Sequence, residues 1–224
     1  MLKKNILFED NHLLIINKQA GILSQGDQTG DDSVIEIYKQ YIKVRDKKPG
    51  NVFLGLPHRL DRPVSGALVL CKTSKALTRM TKQIKEREIQ KVYHAVINEK
   101  IYSEPKRLVS YLKKDTRLNK AIVSDKPFKH AKEAVLSFEV ISIVDNFTLM
   151  EIHLETGRPH QIRAQLAYHK MAIYGDTKYS NKKPLRDKTI ALHSRRVSLS
   201  HPVGGERVEV TAPYPDKTWW QYFK

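Results

Sequence analysis

Short apolar segments separated by polar turns run along most of this chain and predict more strands than helices. Some of these segments are continuously apolar, as in strands covered on both faces, and others alternate between apolar and polar positions. Alternation is typical of strands that have one face on a core and one in water. The predicted strands are residues 6–8, 13–16, 67–70, 91–97, 133–144, 148–154, 190–199 and 207–211.

Four segments are predicted as helices instead, the last of them a short aromatic helix at Trp219, Trp220 and Phe223. Ser33 is a good N-cap for a helix to about residue 44, and Ser74 is one for a second, amphipathic helix. Pro159 stands where the first turn of a third helix is expected, and that helix ends near His169. Strands outnumber helices, and most connections suit hairpins. The pattern therefore predicts an α+β fold with a mixed, largely antiparallel sheet flanked by helices.

Composition narrows the class of protein. The chain has 224 residues, of which 40% are hydrophobic and 29% charged, as in a soluble globular protein with a single domain over residues 1–224. No apolar run approaches the roughly 18 residues that a membrane span needs. Cys71 is the only cysteine and lies in an apolar run, which predicts a buried thiol and excludes an intrachain disulfide. We expect a cytoplasmic monomer.

The net charge of the chain is the compositional feature that says most about its partner. Its formal net charge is +16, with basic residues dense over residues 72–91, 100–132 and 178–188. A fold does not require this imbalance, whereas a polyanionic partner explains it. Nucleic acid is the leading candidate. An anionic membrane surface is the weaker alternative, because no predicted helix pairs a basic face with a large apolar one.

One short segment carries candidate chemistry: Pro57-His58-Arg59-Leu60-Asp61-Arg62-Pro63-Val64-Ser65-Gly66. Asp61 lies between Arg59 and Arg62, and nearby positive charge keeps a carboxylate ionised. A carboxylate prepared in this way can act as a nucleophile or a base. The alternative is an exposed Arg–Asp–Arg loop, since surface ion pairs are common.

A second segment, Glu155-Thr156-Gly157-Arg158-Pro159-His160-Gln161-Ile162-Arg163, is also rich in hydrogen-bonding groups. Arg163 borders the buried face of the predicted helix, and a buried arginine needs an anion. Asp61 is one candidate partner, and a purely structural ion pair is the equal alternative. No spacing of His, Asp and Glu resembles a metal site, and no Gly-rich phosphate loop is present.

Together these motifs resemble the RluA-type family of RNA pseudouridine synthases. The resemblance rests on His58-Arg59-Leu60-Asp61-Arg62 with Ser65-Gly66, on Lys91-Val92-Tyr93, on Thr156-Gly157-Arg158-Pro159-His160-Gln161-Ile162-Arg163, and on Gly175-Asp176-Thr177-Lys178-Tyr179. The match runs in the family's order and spacing over essentially the whole chain. It departs from the family pattern at Gln19, Val64 and Pro159, where Pro, Thr and Thr are usual.

The resemblance implies a pseudouridine-synthase-like fold with a central catalytic cleft, and an isomerase that converts uridines of ribosomal or transfer RNA to pseudouridine. Asp61 would be the catalytic carboxylate, Arg163 would orient it, and Tyr93 would lie beside the target base. The remaining residues implied at the substrate are His58, Arg59, Arg62, His160, Gln161 and Ile162. No cofactor and no metal are expected, and no separate N-terminal RNA-binding domain.

Two other functions remain open on sequence grounds. The chain could be an RNA-binding relative that has lost catalysis and helps RNA to fold, although intact Asp61, Tyr93 and Arg163 argue against this. It could also be a carboxylate-based glycosidase. That chemistry needs a second acid about 5 to 10 Å from the first, and the matched segments offer arginines instead.

Overall fold

The computed structural model describes residues 2–180 and 182–223. They form two compact units: Met1–Lys91 with Ser194–Tyr214, here the first unit, and Val92–His193 with Pro215–Lys224, the second unit. The strands are β1 (Ile6–Glu9), β2 (Leu13–Lys18), β3 (Ser65–Cys71), β4 (Gln90–Ile97), β5 (Lys106–Asp115), β6 (Lys120–Ser124), β7 (Lys132–Val144), β8 (Phe147–Leu154), β9 (Leu192–Ser200) and β10 (Arg207–Thr211). The helices are α1 (Val34–Arg45), α2 (Ser74–Lys85), α3 (Gln161–Tyr168) and α4 (Thr218–Gln221).

The first unit contains a sheet in the order β1-β2-β3-β9, with β10 paired to β9. The registered pairs β1/β2, β2/β3 and β9/β10 are all antiparallel. β2 and β3 are buried at every position because both faces of these strands are covered. The core of this unit packs Leu13, Val69 and Val197 from the sheet against Met80 of α2. Cys71 is buried in this core as expected, and burial raises the pKa of its thiol to about 12.

The helix caps of the first unit bear out one prediction and correct another. Ser33 is the N-cap of α1, and its side chain accepts a hydrogen bond from the Glu36 N–H. The cap of α2 is Thr73 instead of Ser74, because Thr73 is still extended while Ser74 has already entered the helix. The Thr73 hydroxyl accepts the Ala76 N–H at 3.1 Å, which satisfies one of the free donors of the first turn.

The second unit contains a sheet in the order β4-β8-β7-β5-β6. All four neighbouring pairs are antiparallel. β5 and β6 form a charged antiparallel hairpin. α3 packs on this sheet through Ala164, which lies in a cluster with Leu112 and Ala134. Gln165 donates a buried hydrogen bond from its side chain to the Ala134 carbonyl at 3.1 Å.

The start of α3 differs from the prediction. Pro159 lies in a turn before the helix, and α3 begins at Gln161. His160 is the N-cap and has a left-handed backbone with φ of 55°, so the helix cannot extend back through it. The turn is held because the Gln161 side chain accepts the Arg158 N–H at 2.9 Å.

The predicted α+β class with a largely antiparallel sheet is confirmed. Among the residues that the structure describes, no helix is long and apolar enough to cross a membrane. The expectation of a single domain stays a prediction, as do the cleft and the absence of a separate RNA-binding domain.

Candidate active site

The loop that carries Asp61 is anchored at the residue before it. The Leu60 N–H donates to the Ser24 hydroxyl at 3.1 Å, and this hydroxyl donates to the Leu60 carbonyl at 2.7 Å. Both residues are buried, so water does not compete for these hydrogen bonds. After Asp61, the Val64 N–H donates to the Asp61 carbonyl at 3.0 Å and closes a tight turn. The backbone of Asp61 is therefore fixed on both sides, and its side chain is partly exposed.

A buried lysine, Lys18, also anchors the Asp61 loop. Lys18 is 1% exposed, and its ammonium group donates to the carbonyls of Gln19 at 3.0 Å, Ile22 at 2.8 Å and Arg62 at 3.3 Å. Burial lowers the pKa of Lys18 to about 7, the negative Asp61 opposes that shift, and the positive Arg62 adds to it. The hydrogen bonds of Lys18 thus connect the end of β2 to the Asp61 loop. They also place a titratable ammonium group next to this loop.

His58 is a structural anchor in the neutral form. Its Nε2 accepts the Val69 N–H at 3.1 Å, which requires this nitrogen to carry no proton. Burial lowers the pKa of His58 to about 3, and the nearby Lys91 shifts it in the same direction. The ring therefore fastens the loop to β3.

The two arginines of the motif are both exposed. Arg62 donates from Nε to the Gly21 carbonyl at 2.9 Å and pairs with Asp31 at 2.7 Å. Arg59 stands on the surface next to the anchored Leu60. An exposed guanidinium can contact phosphate or stack on a base.

In the second unit, Arg163 is buried and paired with Asp176. Its Nε donates to Asp176 Oδ2 at 2.7 Å and its Nη2 to Oδ1 at 2.9 Å, and the two side chains are only 5% and 2% exposed. Two parallel hydrogen bonds between a guanidinium and a carboxylate make a strong, charge-assisted ion pair. Within this unit the anion that Arg163 requires is Asp176. The expected contact with Asp61 stays a prediction.

Tyr179 joins this pair to the turn before α3. The Arg163 guanidinium lies over the Tyr179 ring at 5.4 Å from its centroid. The Tyr179 hydroxyl accepts the Ala121 N–H at 2.7 Å and forms a second hydrogen bond with His160 Nδ1 at 2.8 Å. His160, Arg163 and Tyr179 are thus held together by one polar network.

The other predicted residues of the second unit are buried. Gln161 accepts the Thr156 hydroxyl at 2.8 Å and donates to the Val135 carbonyl at 3.0 Å, so its side chain braces the turn. Ile162 is 5% exposed. Tyr93 is 7% exposed on β4, opposite Ile152 of β8. Their contacts with a substrate stay predictions.

A model of the family described as RNA pseudouridylate synthase matches residues 12–168. The match includes the anchored Asp61 loop and the whole of α3. This chain belongs to the RNA pseudouridylate synthase family, of the RluA type.

Similar proteins agree with this family membership. The chain is 32% identical over 225 residues to ribosomal large subunit pseudouridine synthase C of Buchnera aphidicola subsp. Acyrthosiphon pisum, an alignment that covers 95% of this chain and 68% of that protein. It is 33% identical over 217 residues to the uncharacterized RNA pseudouridine synthase YhcT of Bacillus subtilis, with 94% and 68% covered.

Solved structures share the fold. Human RNA pseudouridylate synthase domain containing 4 superposes with a TM-score of 0.78 at 21% identity, covering 96% of this chain and 90% of that one. Human RNA pseudouridylate synthase domain containing 1 gives 0.73 at 20% identity, covering 94% and 83%.

Sequence reasoning did not assign Lys18, Asp176 and Tyr179 to the site of this synthase. Asp176 and Tyr179 lie in a motif that contributed to the resemblance, but their partners come from α3 and β6. Lys18 follows an apolar segment, and a lysine at the end of a strand is usually exposed. Its burial depends on the loop at residues 19–22 folding back over it.

Proposed function

We propose that this synthase converts uridines of ribosomal RNA, and secondarily transfer RNA, to pseudouridine, with Asp61 as the catalytic carboxylate. The observation that carries the proposal is the anchoring of Asp61. Its backbone is fixed by the buried Ser24–Leu60 hydrogen bonds and by Lys18 at Arg62, while its side chain remains partly exposed. A carboxylate held in this way loses little conformational freedom when it reacts.

The reaction is an isomerisation. The bond between ribose C1′ and N1 of uracil breaks, the base turns, and C1′ bonds to C5, while the proton of C5 is lost and N1 gains one. Atoms and electrons balance within the substrate, so the proposed chemistry needs no cofactor. Asp61 can attack C1′, attack the base or abstract a sugar proton, and the proposal leaves these three routes open.

A stacked uridine must leave its helix before Asp61 can reach it, and this costs a few kcal/mol. Something must fill or brace the gap that the base leaves. The exposed Arg59 and Arg62, on either side of Asp61, are suited to this because a guanidinium can stack on a base and bind a phosphate. Exposed lysines would supply much of the affinity through phosphate contacts.

Two kinds of observation support the choice of RNA. The net charge of +16 suits a polyanion. Two relatives, 32% and 34% identical over 95% of this chain, are named as ribosomal large subunit pseudouridine synthase C, which favours ribosomal RNA as the first substrate to test. A monomer in the cytoplasm completes the proposal, and the single buried thiol of Cys71 suits a reducing compartment.

Tritium release from transcripts labelled at uridine C5 tests the proposal. Wild-type protein is mixed with ribosomal and transfer RNA transcripts, in parallel with Asp61→Asn and with Asp32→Asn, a control at an exposed acid of the same unit. We expect release from ribosomal RNA by wild type and Asp32→Asn, and none by Asp61→Asn.

Other outcomes would change the assignment. Release that survives Asp61→Asn removes Asp61 from the catalytic role. RNA binding without release by any variant favours a non-catalytic RNA-binding function. Release from transfer RNA alone reverses the proposed order of substrates.

A further inference from the structure

Four side chains with metal-binding chemistry lie on one face of the sheet in the second unit. His94 of β4 stands opposite Glu151 of β8, and Glu151 stands opposite Glu139 of β7. His153 follows two residues after Glu151 and therefore lies on the same face. The spacing along the chain does not reveal this group, because Glu139 joins it only through strand pairing.

The polar atoms of this cluster are close together. Glu151 Oε2 lies 3.0 Å from His94 Nε2, and Glu151 Oε1 lies 2.9 Å from His153 Nε2. One ligand atom each of Glu139, Glu151 and His153 lies within 4.8 Å of the others. In a tetrahedral zinc site with bonds of about 2.0 to 2.1 Å, neighbouring ligand atoms are roughly 3.3 Å apart. The distances within this group, 2.9 Å between Glu151 Oε1 and His153 Nε2 and at most 4.8 Å overall, are similar to that spacing.

The charges of the cluster favour a cation. Glu139 and Glu151 are directly opposite each other on neighbouring strands, and like charges in that position are destabilising. The mixture of imidazole nitrogen and carboxylate oxygen suits a divalent transition ion better than Mg²⁺ or Ca²⁺, which prefer oxygen ligands alone.

The side chains of the cluster differ in their exposure to solvent. The His94 side chain is 9% exposed and that of Glu151 22%, whereas that of His153 is 47% exposed. A surface cavity of about 350 Å³ adjoins Glu139 and His153 and is also lined by Lys106 and by Arg107, which pairs with Glu155. The buried His94 can therefore hold Glu151 in position. On the exposed side, next to His153, there is room for water in the remaining coordination positions of a metal ion.

We propose that Glu139, Glu151 and His153 bind one divalent transition-metal ion such as Zn²⁺, with His94 orienting Glu151. The proposed ligands are different residues from Asp61, Arg163 and Tyr93. Tyr93 alternates to the face of β4 opposite to that of His94. The ion would join β7 to β8 and stabilise the second unit without taking part in the isomerisation.

Competition of the full chain against a chromophoric zinc chelator tests the site. We expect wild-type protein to bind one equivalent of Zn²⁺, and Glu139→Gln and His153→Asn to bind it at least about tenfold more weakly. His130→Asn is the matched control, because His130 is exposed in the same unit and asparagine tolerates its positive φ. It should bind Zn²⁺ like wild type.

Thermal unfolding supplies a second readout. Zn²⁺ should raise the Tm of wild type and His130→Asn but not that of His153→Asn, because only a folded site binds the ion. The exposure of Glu139 and His153 makes both variants suitable, since neither side chain fills the core. Equal Zn²⁺ affinity of wild type and His153→Asn, or loss of binding in His130→Asn, would overturn the proposal.

Discussion

Arg163 and Asp176, thirteen residues apart, form a buried two-bond ion pair with N–O distances of 2.7 and 2.9 Å. The pair joins the first turn of α3 to the loop after the helix. Because both groups are out of water, their mutual attraction offsets part of the cost of burying each charge. Tyr179 stacks on the same guanidinium, so the pair also fixes the polar network around His160.

Replacing Asp176 with asparagine should destabilise the protein strongly. The change removes the negative charge of Asp176 from its two hydrogen bonds with the buried Arg163 guanidinium, and breaking a buried ion pair costs about 3–5 kcal/mol. Urea unfolding measures the loss. The control is Glu99→Gln, which breaks the half-exposed pair with Lys182 and should cost less than about 1 kcal/mol. Equal losses in the two variants would contradict the assignment of Arg163–Asp176 as a stability-determining pair.

Lys18 should make stability depend on pH between neutrality and pH 10.5. Its pKa is lowered from 10.5 to about 7 in the folded protein, chiefly by burial. Between these values the unfolded chain binds a proton that the folded chain does not, so stability rises with pH. Above 10.5 Lys18 is neutral in both states, and below 7 it is charged in both, at the full cost of burial.

Comparison with Lys18→Met isolates this effect. The difference in unfolding free energy, wild type minus variant, should grow by roughly 1 kcal/mol per pH unit between pH 7 and 10.5. The loss of the hydrogen bonds to the three carbonyls shifts the whole curve but does not change its slope. A difference that is flat over this range would mean that Lys18 keeps its proton in the folded protein.

Gly66 should not tolerate alanine. Its φ is +112°, and a Cβ would lie 2.3 Å from the Ser194 carbonyl oxygen. The backbone conformation alone costs about 1–3 kcal/mol for a residue with a side chain, and the overlap adds to this. Gly50→Ala is the control, because no atom lies within 4 Å of the position of its Cβ. Thermal unfolding should show a large drop in Tm for Gly66→Ala and little change for Gly50→Ala.

The hairpin of β5 and β6 should contribute to RNA binding. It contacts the polar network of α3, since the Ala121 N–H donates to Tyr179 and the Asn119 carbonyl accepts Lys178 at 3.0 Å. Replacing the exposed Lys114, Arg117 and Lys120 by glutamine should lower the slope of log affinity against log salt by roughly 1–2. Filter binding over a salt series measures this slope.

The matched control replaces the three exposed lysines Lys43, Lys47 and Lys48 by glutamine. This variant carries the same loss of charge at the end of α1 and its following turn. We expect its salt slope to stay within about 0.5 of that of wild type. An equal decrease in the two triple variants would show that net charge, and not the hairpin, sets the affinity.

Local patterns predicted most of the elements. The alternation over residues 133–144 and 148–154 indicated two strands with one covered face, and β7 and β8 are found there. The boundaries that failed are at helix starts. The first residue of α2 and that of α3 depend on which side chain accepts a hydrogen bond from a free backbone N–H. The spacing of apolar residues does not contain that information.

The sequence by itself determined the α+β class, the polyanionic character of the partner and the membership that the Asp61 motif indicates, because these depend on period, composition and residue order. Only the tertiary structure decided that Arg163 pairs with Asp176, that Lys18 is buried under the Asp61 loop and that Glu139 stands opposite Glu151. Each of these depends on strand register or loop packing, which brings together residues far apart in the chain. The pKa of Lys18 is likewise lowered only in the folded protein, where the surrounding residues exclude water from its ammonium group.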